Sequence, residues 1–127
     1  MKSSNYLLEC CVDSAYSARM AKKGGADRLE LCSNLVIGGT TPTIALYEQI
    51  RNQTDIRIHV LIRPRFGDFL YSEDETALIC KEIDAFRAAG ADGVVIGSLS
   101  PDGSLCTEQM KRCLLYTSPS PRDPKTS

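Results

Sequence analysis

Four short apolar runs, YLLECCV at 6–12, RLELC at 28–32, IRIHVLI at 56–62 and GVVIGSL at 93–99, alternate with longer segments of helical period. Runs of this length, apolar nearly throughout, suit parallel strands buried on both faces. After the first, Asp13 or Ser14 can cap a helix that reaches about Lys23 and stops at Gly24 and Gly25, through the left-handed conformation that glycine permits. Thr41 and Pro42 open a second helix through IALYEQIRN, with the proline near its first position. Ser72 opens a third, where SEDE places acids in the first turn and Gly90 ends the apolar stripe of ALICKEIDAFRAAG. The order is βαβαβαβ, followed by the start of another helix at CTEQMKR. Such alternation predicts an α/β fold with a parallel sheet and right-handed crossovers.

A loose internal repeat supports this. KGGADRLELCS and AAGADGVVIGS each place a Gly-Ala-Asp turn between a helix and the next strand. Repeated βα units fit a barrel or a doubly wound sheet. No GxGxxG or GxxxxGK[ST] loop follows the first strand, which counts against the nucleotide-binding version of the open sheet. With 15 basic and 16 acidic residues and no block of like charge, neither nucleic acid nor a membrane surface is an expected partner. MKSSNYLLECCVDS lacks the pattern of a secretory signal, so a cytoplasmic location and reduced thiols are expected.

The strand ends carry the chemistry. Alternate residues of a strand share a face, which pairs Glu9 with Cys11, Glu30 with Cys32 and Arg63 with Arg65. All three pairs are expected at carboxyl ends, where a barrel of parallel strands builds its sites. Cys11 and Cys32 read either as buried small hydrophobes or as a soft pair, because thiolates select Cu(I) or zinc over hard cations. Two thiolates alone suit low-coordinate Cu(I) better than a structural zinc, which takes four ligands. Cys10, on the opposite face from Cys11, is expected to pack against a helix.

Glu9 and Glu30 could form an acid and base pair, with Arg63 and Arg65 holding an anionic substrate and Asp68 facing the same mouth. Alternatively the arginines neutralise the carboxylates inside the barrel, since buried charges need partners. His59, the single histidine, reads as lying near the start of its strand, in a core or surface role, which disfavours a histidine-dependent triad.

LLECCVDS, GGADRLELCSNLVIGGTTPT, IRPRFGDFLYS and GADGVVIGSLSPDGSL, in this order and spacing, resemble the N-terminal half of the CutC copper homeostasis family from about Leu7 to Arg112. The resemblance implies a TIM-type (β/α) barrel, a cytoplasmic copper homeostasis protein that binds Cu(I), and assembly as a homo-oligomer. Cys11 and Cys32 fall on the cysteines of the family's E-x-C-V-D-S and L-E-L-C motifs, the positions proposed as copper ligands. Glu9, Glu30, Arg63, Arg65 and Asp68 fall on its other motif residues at the mouth. Cys10 stands where an aliphatic residue is typical, and Cys80 and Cys106 have no counterpart. The alternative function is a TIM-barrel enzyme of unknown substrate that uses the Glu/Arg mouth on a small anionic molecule.

CLLYTSPSPRDPKTS, at 113–127, departs from the pattern with three prolines, three serines and two threonines. It reads as a disordered tail or as the in-frame translation of a sequencing-library transposon adapter, which would place the native boundary at Arg112 and make Cys113 non-native. Residues 1–112 would then form half a barrel, whose open edges favour association.

Overall fold

In the computed structural model, which describes residues 6–116, the expected alternation is present. Strands β1 (Glu9–Val12), β2 (Arg28–Leu31), β3 (Arg57–Leu61) and β4 (Gly93–Val95) form one parallel sheet in the order β1-β2-β3-β4. Helices α1 (Ala15–Lys23), α2 (Ile44–Arg51) and α3 (Glu73–Ala89) connect them, and α4 (Thr107–Tyr116) follows β4. The expected start of a helix at CTEQMKR is α4, and the boundary expected at Arg112 falls within it. The tail from residue 117 onward lies outside the described residues.

Local chemistry sets the helix ends. Ser14 caps α1, its side chain accepting from the Ser17 N–H at 3.0 Å. Ser72 and Glu75 close a reciprocal capping box on α3, satisfying two otherwise orphaned N–H groups. Two expectations shift by a residue or two. Thr43, not Thr41, caps α2, so Pro42 precedes the cap and the first helical position belongs to Ile44. At the end of α1, Gly24 stays right-handed at φ −81° and only Gly25 takes the positive φ, 100°.

The core lies on one side of the sheet. Leu29, Leu31, Ile58, Val60 and Ile62 meet Tyr47 and Ile50 of α2 and Ile79, Ile83 and Phe86 of α3. Tyr47 and Phe86 make an edge-to-face contact with centroids 6.0 Å apart. Cys10 packs against this core, as its parity requires. The expectation of strands buried on both faces holds for this side alone. On the other, Cys11 is exposed and Glu30 and His59 are half-buried. That side is the inner wall of a barrel, and four strands are too few to close over it. No helix among the described residues is long and apolar enough to cross a membrane.

Candidate functional site

Strand register sorts the inner-wall residues into levels. Glu9, Arg28 and Arg57 occupy the first, at the amino ends of their strands. Cys11, Glu30, His59 and Gly93 occupy the second, one residue from each of the four strands. Cys32 follows just past the end of β2, its N–H donating to the Val12 carbonyl at 3.0 Å. Parallel partners point to the same side, so these side chains share one wall.

Glu9 therefore sits away from the carboxyl-terminal mouth where it was expected. The reason is that β1 begins at Glu9, opposite the first residue of β2, while Tyr6, Leu7 and Leu8 precede the strand and are exposed. Its carboxylate accepts from Arg28 Nε at 2.8 Å. Arg28, two residues before Glu30 on the same face, is thus the cation that neutralises Glu9, and neither mouth arginine does so. The parity of RLELC could have shown it facing the wall, but its partner depends on register.

His59 also differs from expectation. It stands mid-strand, level with Glu30, and its ring lies over Gly93. A Cβ at position 93 would come within 3.1 Å of the ring, so glycine there is what gives the imidazole its seat.

The thiols are on the wall together. Cys11 is exposed, whereas Cys32 is buried, with its Sγ 3.7 Å from the Val12 carbonyl. They are diagonal neighbours, one strand spacing across and one residue pair along, which puts their Cα atoms roughly 8 Å apart. Desolvation first, then the charges of Glu30 and Glu9 and the neighbouring Cys10, push the Cys11 thiol up. Desolvation, Cys11, Glu30 and Asp13 push Cys32 up to about 11. Both are thus neutral thiols near pH 7. Glu30 is raised by its own desolvation and by Glu9, while attraction to His59 opposes the rise.

Arg63 and Arg65 lie past the end of β3 in the loop toward α3. Arg63 is held by carbonyls, donating from Nη1 to Gly39 at 3.0 Å and from Nη2 to Gly67 at 2.9 Å, with its guanidinium 4.9 Å from the Phe69 ring centroid. It joins the β2–α2 and β3–α3 loops at the mouth. Arg65 instead pairs with Glu75, at 2.5 Å from Nε, and with Asp68 at 3.1 Å, and donates to the Asp68 and Leu70 carbonyls. Asp68 Oδ1 accepts from the Leu70 N–H at 3.0 Å as well as from Arg65, and these two bonds hold its carboxyl below the usual range. Arg65 and Asp68 therefore shape the loop, and of the two mouth arginines Arg63 is the one whose guanidinium is held by carbonyls and not by a carboxylate. A separate concavity of about 970 Å³ is bordered by Lys22, Arg51, Asp55, Arg57 and the aspartates of the two Gly-Ala-Asp turns, Asp27 and Asp92, and contains none of the candidate site residues.

Two thiols on one wall supply soft donors, and among the described residues no three His, Cys, Asp or Glu side chains stand close enough to hold a metal ion together. The donor set suits a low-coordinate soft ion better than a four-ligand zinc.

A parallel βα-repeat wall with thiols and charged residues along its inner face defines the chain as part of a TIM-type barrel. The CutC family model matches residues 6–120, and the chain belongs to the CutC family. It is 44% identical over 115 residues to the copper homeostasis protein cutC homolog of Homo sapiens, covering 87% of this chain and 42% of the relative. Identity to the homolog of Drosophila melanogaster is also 44%, over 116 residues, with 91% of this chain and 44% of the relative covered. A crystal structure of a CutC protein from Streptococcus agalactiae superposes with a TM-score of 0.80 at 29% identity, covering 91% of this chain and 57% of the other. The chain thus spans less than half the length of these two relatives.

Proposed function

We propose that this chain is the thiol-bearing half of a copper homeostasis protein, which holds Cu(I) through Cys11 and Cys32 in the cytosol. The observation that carries this reading is the placement of an exposed and a buried thiol as diagonal neighbours on one barrel wall. The names of the relatives from Homo sapiens and Drosophila melanogaster point to the same metal. An exposed thiol can take the ion from solution or from a donor, and a buried one can retain it. The test is a Cu(I) competition titration under reducing conditions on a native-length protein, with and without Cys11→Ser and Cys32→Ser. Stoichiometric binding that disappears in the double variant supports the reading, and equal binding by both proteins refutes it.

A second reading has its own observation. Arg63, secured by two backbone carbonyls and an aromatic face, presents a guanidinium at the mouth that is not bound to a carboxylate, as an anion-binding enzyme would need. In that case Glu9 and Glu30 are the candidate acid and base, and activity on a small anion would survive loss of the thiols. We further propose a native boundary at Arg112, which resequencing the genomic locus would test by finding a reading frame that diverges from CLLYTSPSPRD. Homo-oligomer assembly belongs to the same proposal and is read by sedimentation of the native-length protein.

A further inference from the structure

We propose that the turn at Gly38 and Gly39 is a lid over the Cys32 thiol, that the Arg63 guanidinium latches it shut, and that lifting this turn admits an ion or reagent to Cys32. The inference concerns access to the thiol and does not depend on which ion it takes. Its basis is a contrast on one wall. The inner face is open enough to leave Cys11 exposed, yet its diagonal neighbour Cys32 is 1% exposed. The cover comes from the chain that follows β2. Ser33 and Thr40 pair across an antiparallel bridge, which folds residues 34–39 back over the strand end. A Cβ at position 39 would meet Leu61 Cδ2 at 3.0 Å and Cys32 Sγ at 3.5 Å, and one at position 38 would meet Arg63 Nη1 at 3.1 Å. Both glycines take positive φ, 93° and 91°, so backbone lies against the thiol where a side chain would be strained.

What holds the turn down is polar. Its tip, Leu35, Val36 and Ile37, is exposed, with Val36 99% so, and adds little packing. Inside the turn the Gly38 and Gly39 N–H groups donate to the Leu35 and Asn34 carbonyls, both at 3.0 Å, so it moves as one body. The side-chain tie to the wall is Arg63, which donates from Nη1 to the Gly39 carbonyl and from Nη2 to the Gly67 carbonyl of the next loop. Bonds from a charged donor are the stronger kind, and because the acceptors here are neutral, breaking them strands no buried carboxylate. At the base the Arg63 backbone keeps bonds of its own. Its N–H donates to Thr41 Oγ1 at 2.8 Å and its carbonyl accepts from the Thr41 N–H at 3.0 Å, which anchors the turn while the tip rises. On the thiol reading above, Cys11 meets an ion first and Cys32 joins after the turn lifts.

The test is pulse alkylation of the reduced, metal-free native-length protein by iodoacetamide, read peptide by peptide in a mass spectrometer and compared with Arg63→Met. In the wild type Cys11 reacts quickly and Cys32 slowly. In Arg63→Met the Cys32 rate rises roughly tenfold, the factor expected for losing one hydrogen bond from a charged donor, while Cys10 and Cys11 keep their rates. Cys10 packs against the helix-side core and so reports any loosening of the whole fold. Three results overturn the latch: wild-type Cys32 reacting as fast as Cys11, a Cys32 rate unchanged in Arg63→Met, or a Cys10 rate that rises in step with it. No metal enters the experiment, so the thiol reading stands or falls separately by its own titration. If Arg63→Met fails to fold, Arg63→Lys decides, because lysine keeps the charge but lacks the planar fork that spans two carbonyls. Faster Cys32 alkylation at an unchanged Cys10 rate then supports the latch, and an unchanged Cys32 rate refutes it.

Discussion

Cys11 stands directly opposite Glu30 in the parallel ladder between β1 and β2, so a thiol and a carboxylate face the same side one strand apart. Burial first, and then this carboxylate, make thiolate formation harder at Cys11; burial, Cys11 and the carboxylate together push Cys32 up to about 11. Only the thiolate binds metal, so Cu(I) must displace a proton from each cysteine. Below both pKa values affinity should therefore rise with pH, by roughly a hundredfold per unit for two protons released, and level off as the pH nears the thiol values. Competition titrations at pH 6, 7 and 8 measure the slope. A flat profile would mean that the two thiols are not the ligands.

Glu30 carries a cost in the metal-free protein. Its folded-state pKa is raised, chiefly by desolvation, so the folded state holds a proton more tightly than the unfolded chain. The stability linked to that proton is present below the unfolded value and is lost as pH rises through the folded one. Glu30→Gln should therefore raise the melting temperature of the metal-free native-length protein at pH 7, with the gain shrinking toward pH 4. Thermal melts at the two pH values read the difference, and equal gains at both would exclude a charge-based cost.

The order of elements was legible because each helix end is local chemistry. Ser72, Glu75 and Gly90 lie within a few residues of the groups they satisfy. The wall face was legible from parity, which places Cys11 and Glu30 inward and Cys10 toward the helices. Level was not. Whether Glu9 meets Arg28, or His59 meets Glu30, depends on where strands begin to pair, and that is set by packing and turn geometry between distant segments. For the same reason two adjacent-looking arginines diverge. Arg65 turns toward Glu75 at the start of α3, whereas Arg63 turns toward the carbonyls of Gly39 and Gly67.

Tyr47 is fully buried against Phe86, and among the described residues its hydroxyl has no hydrogen-bond partner. A buried polar group left unpaired is destabilising, while the ring's packing does not need the oxygen. Tyr47→Phe should be neutral or stabilising by about 1 kcal/mol in denaturant unfolding. A comparable loss of stability would show that the hydroxyl has a partner elsewhere in the native-length protein.

The sheet leaves β1 at one edge and β4 at the other, each with a row of backbone groups open to pairing. Its inner wall is uncovered, and Leu7 and Leu105 are 70% and 62% exposed. A (β/α) barrel closes with about eight strands, so a four-stranded wall offers both edges and one face to any similar surface. The 127-residue chain should therefore associate when expressed alone, over a concentration-dependent range of sizes in sedimentation velocity. A native-length protein, with the remaining strands closing the barrel, should give a discrete species at the same concentrations. Charged substitutions at the solvent-facing positions of β1 and β4 should reduce association of the short chain and barely affect its helix content, because they block edge pairing without touching the core. A short chain that sediments as a monomer and unfolds in one cooperative transition would mean that the four βα units are a self-sufficient fold.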